Sequence, residues 1–216
     1  MNRDEIALGA SHLRCFPLPG TVLMPGAPLP LHVFEPRYRA LVADALAGDR
    51  LLAVPQIAEG QEHAHLDRPR LLPYVAVGRV AMHEELPDGR YNIVVEPVAR
   101  ARLGDELIGD EPYRRFTAEL LVDTDNDRGP LARVGQRVLR LLVAIPAFAK
   151  APERVRKALV TMNPEFLPLA VAPMVLRETA ERQAYIAENS ALARAQMLEQ
   201  ALLTRLAEGR GVVAEA

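Results

Sequence analysis

Nucleophilic side chains are scarce in this sequence of 216 residues, and none lies in a catalytic motif. The serines are Ser11 and Ser190, and the lysines are Lys150 and Lys157. Neither serine stands in the G-x-S-x-G turn that presents a nucleophile, and no glycine-rich phosphate-binding loop occurs. The single cysteine, Cys15, falls at the start of a predicted strand, so we interpret it as a buried structural thiol. These observations argue against nucleophilic catalysis and nucleotide hydrolysis.

Histidine and glutamate side chains offer one candidate metal site. His63 and His65 stand beside Glu62, and His83 precedes the pair Glu84–Glu85. A zinc ion needs ligands that converge in space, and the spacing alone does not bring His83 to the other two histidines. Adjacent strand residues point to opposite faces, so the two glutamates do not easily share an acid–base site. We therefore predict no catalytic residues, no metal and no cofactor, and keep an enzyme that uses these histidines as a third hypothesis.

Composition and charge narrow the functional classes further. Half of the residues are apolar and a quarter are charged, which is typical of a globular protein with one or two domains. The net charge is −2, but residues 1–125 carry −6 and residues 126–216 carry +4. An acidic first half is a poor nucleic-acid surface, so we predict no nucleic-acid partner. The absence of a long apolar run and the single cysteine predict a cytoplasmic protein without membrane contact.

The first half of the sequence has the pattern of strands and turns with one helix. Pro36 suits the first position of a helix, and an apolar stripe at helical spacing predicts that the helix runs over Pro36–Ala47. The sequence Pro87–Gly89 predicts a hairpin turn between two long strands. Within the first of these strands the apolar alternation shifts phase at Gly78, which predicts a β-bulge there.

The second half has helical periodicity throughout. The change from strand patterns to helical periodicity falls at an acidic segment that ends in Gly129–Pro130. Ser190 is expected to cap the last helix. We predict five segments: an N-terminal tail (1–12), a β-rich subdomain (13–125), a linker (126–129), an α-helical subdomain (130–209) and a C-terminal tail (210–216).

Two blocks of sequence closely resemble one known family. The first is a proline-punctuated string from Phe16 to Val42, and the second combines Val77–Val80, Leu86–Glu96 and Ala99–Leu103. Their order and spacing resemble the Lon N-terminal domain family, the substrate-binding domain of ATP-dependent proteases, which also occurs as free-standing bacterial proteins. The resemblance is firm over residues 13–122 and looser over the helices. Pro97 departs from the glycine that commonly follows the glutamate in this family.

The resemblance implies an α+β fold in which a PUA-like pseudo-barrel with one helix precedes an α-helical bundle. It also implies recognition of protein substrates without catalysis, since the ATPase and Ser–Lys protease motifs are missing. Nine residues of the family motif are expected to have structural roles: Phe34, Glu35, Pro36, Arg37, Tyr38, Gly78, Asp88, Gly89 and Glu96. Five apolar residues in proline-rich loops are candidates for substrate contact if folding leaves them exposed: Leu23, Met24, Pro25, Pro28 and Leu29.

The leading hypothesis is a non-catalytic module that binds exposed hydrophobic segments of unfolded or client polypeptides. A protease or a chaperone is a further expected partner, and the sequence leaves the oligomeric state open. The alternative is a small-molecule or RNA-binding module on the same barrel. Salt dependence separates the two, because nucleic-acid affinity falls steeply with salt whereas apolar contacts change little.

Overall fold

A computed structural model describes residues 3–61, 68–125 and 127–214 of the chain, with side chains described through residue 208. The chain divides into two compact units. The β-rich unit comprises the chain up to Val122 together with Arg182–Ala187. The helical unit comprises Asp123–Glu181 and the chain from Glu188 onward.

Six strands of the β-rich unit form one sheet that closes on itself. Its strand order is β2-β5-β4-β3-β1-β6, and β5 also pairs with β6, so that five strands make a barrel and β2 extends it. All neighbours are antiparallel except β1 and β3. The strands are β1 (Leu13–Cys15), β2 (Leu29–Val33), β3 (Leu51–Ala53), β4 (Tyr74–Glu85), β5 (Tyr91–Leu107) and β6 (Arg114–Leu120).

Strand β5 makes this closure possible because its two halves have different neighbours. Its first residues, Tyr91–Val95, pair with β2, while residues from Ala101 onward pair with β6. The register between β4 and β5 shifts at Gly78, which confirms the predicted irregularity. A Cβ atom at Gly78 would collide with Val95 and would lie 2.8 Å from Leu23 Cδ2. Glycine is therefore required at this bend by the close approach of two core side chains.

Alternating strand residues fill two hydrophobic cores. The barrel interior receives side chains from all five barrel strands, for example Leu51 and Ala53 of β3. The intervening residues Leu52 and Val54 face a second core on the other side of the sheet. Helix α2 (Pro36–Ala47), which has the predicted bounds, covers that core with one buried stripe. The buried residues of this stripe are Tyr38, Leu41, Val42 and Ala45.

The segment that we predicted as an N-terminal tail contains a helix, α1 (Arg3–Ala10). Its buried residues Ile6, Gly9 and Ala10 share one face, and Ile6 contributes to the barrel core. The helix has only two turns, and two of its three buried residues are small. Its apolar periodicity is for that reason too short and too weak to be recognised in the sequence.

The helical unit contains α3 (Arg128–Ala144), α4 (Pro146–Ala149), α5 (Glu153–Thr161), α6 (Leu167–Val175) and α8 (Ala191–Ala214). Helix α3 ends before Pro146, because proline disfavours helical conformation at the preceding residue. Helix α6 is short and begins at Leu167. Helix α8 continues through residue 214, beyond the predicted boundary at 209.

The acidic residues just before the predicted linker are tied to the start of α8. Ser190 caps this helix as predicted, because its hydroxyl accepts a hydrogen bond from the Ala193 amide at 2.9 Å. Asp125 Oδ2 accepts another from the Leu192 amide at 2.8 Å. Asp123 Oδ1 accepts one from Arg194 Nη2 at 2.7 Å. The carboxylates thus lie at a helix N-terminus, where unsatisfied amides and the helix dipole favour negative charge.

The helix α7 (Thr179–Ala187) ends with six residues that belong to the β-rich unit. Gln183 Nε2 donates to the Tyr74 carbonyl at 2.7 Å, and Arg100 Nη1 donates to the Ile186 carbonyl at 2.9 Å. Tyr185 is fully buried. The boundaries that we predicted from composition did not include this return of the chain.

Among the residues that the structure describes, no helix is both long enough and apolar enough to span a membrane.

Candidate functional site

The outer face of β2, β5 and β4 carries an exposed apolar row. The register pairs Pro30 with Val94 and Val94 with Met82, so the three side chains form a line across the strands. Met82 is 67% exposed and Pro30 is also exposed. Phe34, immediately after β2, is 61% exposed and continues the phase of Pro30. We call these four residues, Pro30, Phe34, Met82 and Val94, the apolar row.

A polar row crosses the strands two residues further along, between Phe34 and the other three residues of the apolar row. Arg90 Nη1 donates to His32 Nε2 at 3.2 Å, because a guanidinium can only donate. His32 Nδ1 donates to Asn92 Oδ1 at 2.8 Å, and Asn92 Nδ2 donates to Glu84 Oε2 at 2.9 Å. The side chains of this row are therefore joined to one another by hydrogen bonds.

The two rows border a shallow depression of about 430 Å³. Its lining includes Pro30, His32, Met82, Glu84, Asn92 and Val94. Met82 gives this surface adaptability, because a flexible thioether side chain can repack against different partners. An apolar, adaptable depression with polar groups at one side suits an extended apolar peptide better than a small charged ligand.

Strand β2 also has an open edge. It lies at one end of the strand order and pairs only with β5 among the described strands. Pro30 has no amide hydrogen and cannot donate to a ladder, so residues of its phase direct their backbone groups away from β5. His32 shares that phase. The Pro30 carbonyl and the amide and carbonyl of His32 are consequently available to an added strand.

The loop residues predicted to contact substrate differ in how much of their surface is exposed to solvent. Leu23 and Met24 are 1% and 4% exposed, so in this conformation they belong to the core. The turn that follows has Pro25 and Gly26 in its middle, and the Ala27 amide donates to the Met24 carbonyl at 3.2 Å. Pro25 is half-buried by this turn.

Pro28 and Leu29 lead from that turn into β2. Pro28 is exposed and Leu29 is half-buried. Both lie within two residues of Pro30 in the chain. Of the five predicted contact residues, these two thus lie nearest in sequence to the apolar row, and Pro25 lies next to them across the turn.

The residues of the motif around the start of α2 make local contacts. Glu35 Oε2 accepts from Arg37 Nε at 3.0 Å and from Arg37 Nη2 at 2.8 Å. The Arg37 guanidinium lies 4.5 Å from the centre of the Tyr38 ring. Burial raises the pKa of the Tyr38 hydroxyl. Pro36 occupies the first turn of the helix. Phe34 differs from its neighbours because its ring is exposed rather than packed.

The remaining motif residues shape the β4–β5 hairpin. Asp88 Oδ1 accepts from the Arg90 amide at 3.1 Å, and the pKa of Asp88 is lowered, mainly by this hydrogen bond. Gly89 has a positive φ of 76° and lies against the Arg39 guanidinium, so a side chain there would be strained and obstructed. Glu96 pairs with Arg79 at 3.3 Å on the surface.

The candidate nucleophiles have structural surroundings. Cys15 is fully buried, and burial raises the pKa of its thiol, which disfavours the reactive thiolate. Ser11 Oγ donates to the Leu8 carbonyl at 2.7 Å, and Ser190 caps α8. His63 and His65 lie outside the described residues, and His83 is exposed. Within the described ranges, no three metal-binding side chains converge.

Comparisons with known proteins identify this architecture. The N-terminal domain of a Lon protease from the Mycobacterium avium complex superposes with a TM-score of 0.70 at 14% identity, covering 88% of this chain and 97% of that one. A Lon N-terminal domain protein from Xanthomonas campestris gives a TM-score of 0.58 at 21% identity, with 87% and 96% covered. The fold is therefore that of a Lon N-terminal domain, a mixed α+β fold.

A family model narrows this class to one family. The model described as the ATP-dependent protease La (LON) substrate-binding domain matches residues 12–204, and the chain belongs to that family. Lon protease 1 of Herpetosiphon aurantiacus is 26% identical over 196 residues, which is 87% of this chain but 23% of the relative. The chain thus spans less than a quarter of the length of that curated relative.

The apolar row contains residues that the sequence analysis did not select. Phe34 was assigned a structural role, and Met82 was not considered. The signal that could have found them is the alternation in β2, where Leu29, Leu31 and Val33 face inward and the intervening residues face outward. Met82 becomes a neighbour of Pro30 only through the pairing with β5, which the sequence alone does not specify.

Proposed function

We propose that this protein recognises exposed apolar segments of unfolded or client polypeptides through the apolar row and the open edge of β2, and that it has no catalytic activity of its own. The carrying observation is the exposure of Phe34, just after β2, and of Met82 in β4, together with the edge of β2 that no described strand pairs. Large apolar side chains grouped on a surface are typical of interaction sites.

The two features favour an extended chain as the ligand. Backbone groups of an added strand would pair with those of Pro30 and His32, independently of the ligand's sequence. Every second side chain of that strand would face the apolar row, because side chains alternate along a strand. Such a site would accept many sequences, provided that they are unfolded and carry apolar residues at alternate positions.

Membership of a substrate-binding domain family supports the same proposal. The related Lon proteases contain the matching region within much longer chains. We propose that this protein binds its clients in the same general manner and delivers them to a protease or a chaperone. Nothing in the apolar row or the polar row provides the concentrated positive charge that an RNA-binding surface needs.

Fluorescence anisotropy tests this proposal directly. A labelled, permanently unfolded polypeptide is titrated with the protein, and its folded counterpart and a single-stranded RNA serve as comparison ligands. We expect saturable binding of the unfolded chain only, with little change between low and moderate salt, since apolar contacts are insensitive to ionic screening. Absence of saturation at about 100 μM protein, weaker than about −5.5 kcal/mol, would refute general recognition of unfolded chains.

Matched variants locate the binding surface. Met82→Ser and Phe34→Ser should each weaken binding about tenfold, because each removes an apolar side chain from the contact. Ile108→Ser is the control, since Ile108 is fully exposed in the same unit but lies outside the apolar row. Equal weakening by Ile108→Ser would show that general surface hydrophobicity, rather than this face, determines the affinity.

A further inference from the structure

A second cavity of the β-rich unit is lined by several charged side chains, unlike the depression beside the apolar row. It lies where the start of α2, the segment after β1 and the turn before β6 meet. Its volume is about 350 Å³, within the range of small-molecule sites. It shares no lining residue with the depression beside the apolar row. The lining includes Pro17, Pro19, Arg37, Tyr38, Tyr113 and Arg114.

Part of the wall of this cavity consists of rigid apolar groups. The Tyr38 ring is 6% exposed and lies 4.2 Å from the Phe16 ring, measured between ring centres. Tyr113 is 8% exposed, and its hydroxyl donates to Asp44 Oδ2 at 2.6 Å, which fixes the ring. Proline rings of the segment after β1 complete the apolar surface. A ligand of this cavity would therefore have an apolar part that packs against fixed rings.

The charges that line the cavity are predominantly positive. Three arginines and one glutamate line it, namely Arg37, Arg68, Arg114 and Glu111. Each is paired with at least one group of opposite charge, and the partners are Glu35, Glu106 and Arg115. Asp44 adds a further carboxylate, which accepts from the Tyr113 hydroxyl of the wall. The lining arginines still outnumber the lining glutamate, which favours an anionic group in the cavity.

Two donors on the cavity wall are unused. Both Nε and Nη2 of Arg37 reach the same oxygen of Glu35, whereas Arg37 Nη1 has no hydrogen-bond partner among the described residues. The Tyr38 hydroxyl likewise has no partner in the described part of the chain, although its ring is buried. Burial keeps this hydroxyl protonated because it raises its pKa, so it can donate. These two donors are therefore available to an acceptor that enters the cavity.

We propose that this cavity binds a carboxylate joined to an apolar group. A carboxylate has two acceptor oxygens, which can engage Arg37 Nη1 and the Tyr38 hydroxyl together. A guanidinium and a carboxylate match in shape, which strengthens such contacts. The apolar group would pack between the proline rings and Tyr113.

Isothermal titration calorimetry with N-acetyl-phenylalanine tests this assignment, and N-acetyl-phenylalaninamide is the uncharged control. We expect the acid to bind and the amide to bind at least about tenfold more weakly, because only the acid carries the charge that Arg37 attracts. Equal binding of the two, or no heat of binding at about 10 mM acid, would overturn the proposal.

Three variants identify the contacts. Tyr38→Phe retains the ring and its packing but lacks the hydroxyl, and it should weaken binding of the acid about tenfold. Arg37→Gln should abolish the preference for the acid over the amide. Arg79→Gln is the control, since Arg79 is a paired surface arginine outside the cavity. Thermal unfolding of each variant verifies that it is folded, and unchanged affinity in folded Tyr38→Phe and Arg37→Gln would refute the assignment.

A further comparison distinguishes two sources of the carboxylate, the C-terminus of a chain and a free acid. A short peptide that ends in phenylalanine is titrated with either a free or an amidated C-terminus. Tighter binding of the free-ended peptide than of N-acetyl-phenylalanine would identify a chain terminus as the ligand, and the reverse order would identify a free acid. None of these ligands is an unfolded protein, so their failure to bind would leave recognition through the apolar row unaffected.

Discussion

The β-rich unit and the helical unit bury their apolar side chains in different ways. In the β-rich unit, strands distant in sequence meet residue by residue, as where Leu13 pairs with Phe116. In the helical unit, stripes on α3 and α8 pack along the helices, with Val138 and Leu198 fully buried. Strand register depends on turns, bulges and individual glycines, whereas a helix stripe distributes its contacts over many turns. A single substitution is therefore most informative at a position where either unit has no room to adjust.

The largest effect is expected from adding a methyl group at a glycine in each unit. Gly135→Ala would normally favour a helix by about 1 kcal/mol. Here the new Cβ would collide with the backbone carbonyl of Pro164, which cannot rotate away, so we expect destabilisation of about 3 kcal/mol. Gly78→Ala would meet the side chains of Val95 and Leu23, which can shift, and should cost about 1–2 kcal/mol. Urea unfolding measures both.

The control for this pair is Gln136→Ala, an exposed neighbour of Gly135 on the same helix. It should change the free energy of unfolding by less than about 0.5 kcal/mol. A stabilised Gly135→Ala variant would show that α3 can move away from Pro164. The idea that the helical unit has no freedom at this contact would then be wrong.

A smaller effect is expected from removing one partly buried carboxylate anchor in each unit. In the β-rich unit Asp49 Oδ1 accepts from Arg14 Nη1 at 2.7 Å and from the Leu51 amide at 2.9 Å, so Asp49→Ala should cost about 1–3 kcal/mol. In the helical unit Asp125→Ala removes the acceptor for the Leu192 amide and should cost about 1 kcal/mol, typical of a helix cap. Thermal unfolding provides both values, and a larger loss in Asp125→Ala would reverse the proposed order.

The smallest effect concerns two ion pairs in mild acid. Arg114 lowers the pKa of Glu106 in the β-rich unit, and Arg137 lowers that of Glu199 in the helical unit, each mainly through its side-chain hydrogen bond. A lowered pKa in the folded state stabilises the fold above the ordinary value of 4.5, and this contribution is lost as the pH falls below it.

Glu106→Gln and Glu199→Gln should therefore flatten the decrease in stability below about pH 4.5, with little change at pH 7 beyond the loss of the pair. Urea unfolding at a series of pH values between 3 and 7, on the order of the range over which carboxylates titrate, measures this slope. A slope identical to that of the unchanged protein in both variants would show that neither pair contributes.

Much of the fold could be predicted from the sequence because its signals are local. Proline at the first turn and an apolar stripe were sufficient for the bounds of α2, and the alternation shift at Gly78 located the bulge. The barrel was expected only from the family resemblance, because no local pattern shows that β5 has different partners at its two ends. Helix α1 was also missed, because two turns with small buried residues give little periodicity.

The candidate site was less predictable than the fold. Proline-rich loops indicated an apolar region, but burial of Leu23 and Met24 follows from tertiary packing that no local pattern specifies. Pro30 and Met82 are separated by 52 positions in the sequence and come into one line across the sheet only through strand pairing. Motif residues also gave no indication of the unused donors of Arg37 and Tyr38, since a helix-start pattern accounts for both residue types.

The return of the chain into the β-rich unit at Arg182–Ala187 has a consequence for protein synthesis. The hydrogen bonds from Arg100 to Ile186 and from Gln183 to Tyr74 cannot form when the ribosome has reached only Val122. At about 5–20 residues per second, the intervening 65 residues take about 3–13 s to be added. During that interval the barrel strands are complete while these contacts are absent. A nascent chain at this stage would itself be an incompletely folded polypeptide, the class of ligand that the finished protein is proposed to bind.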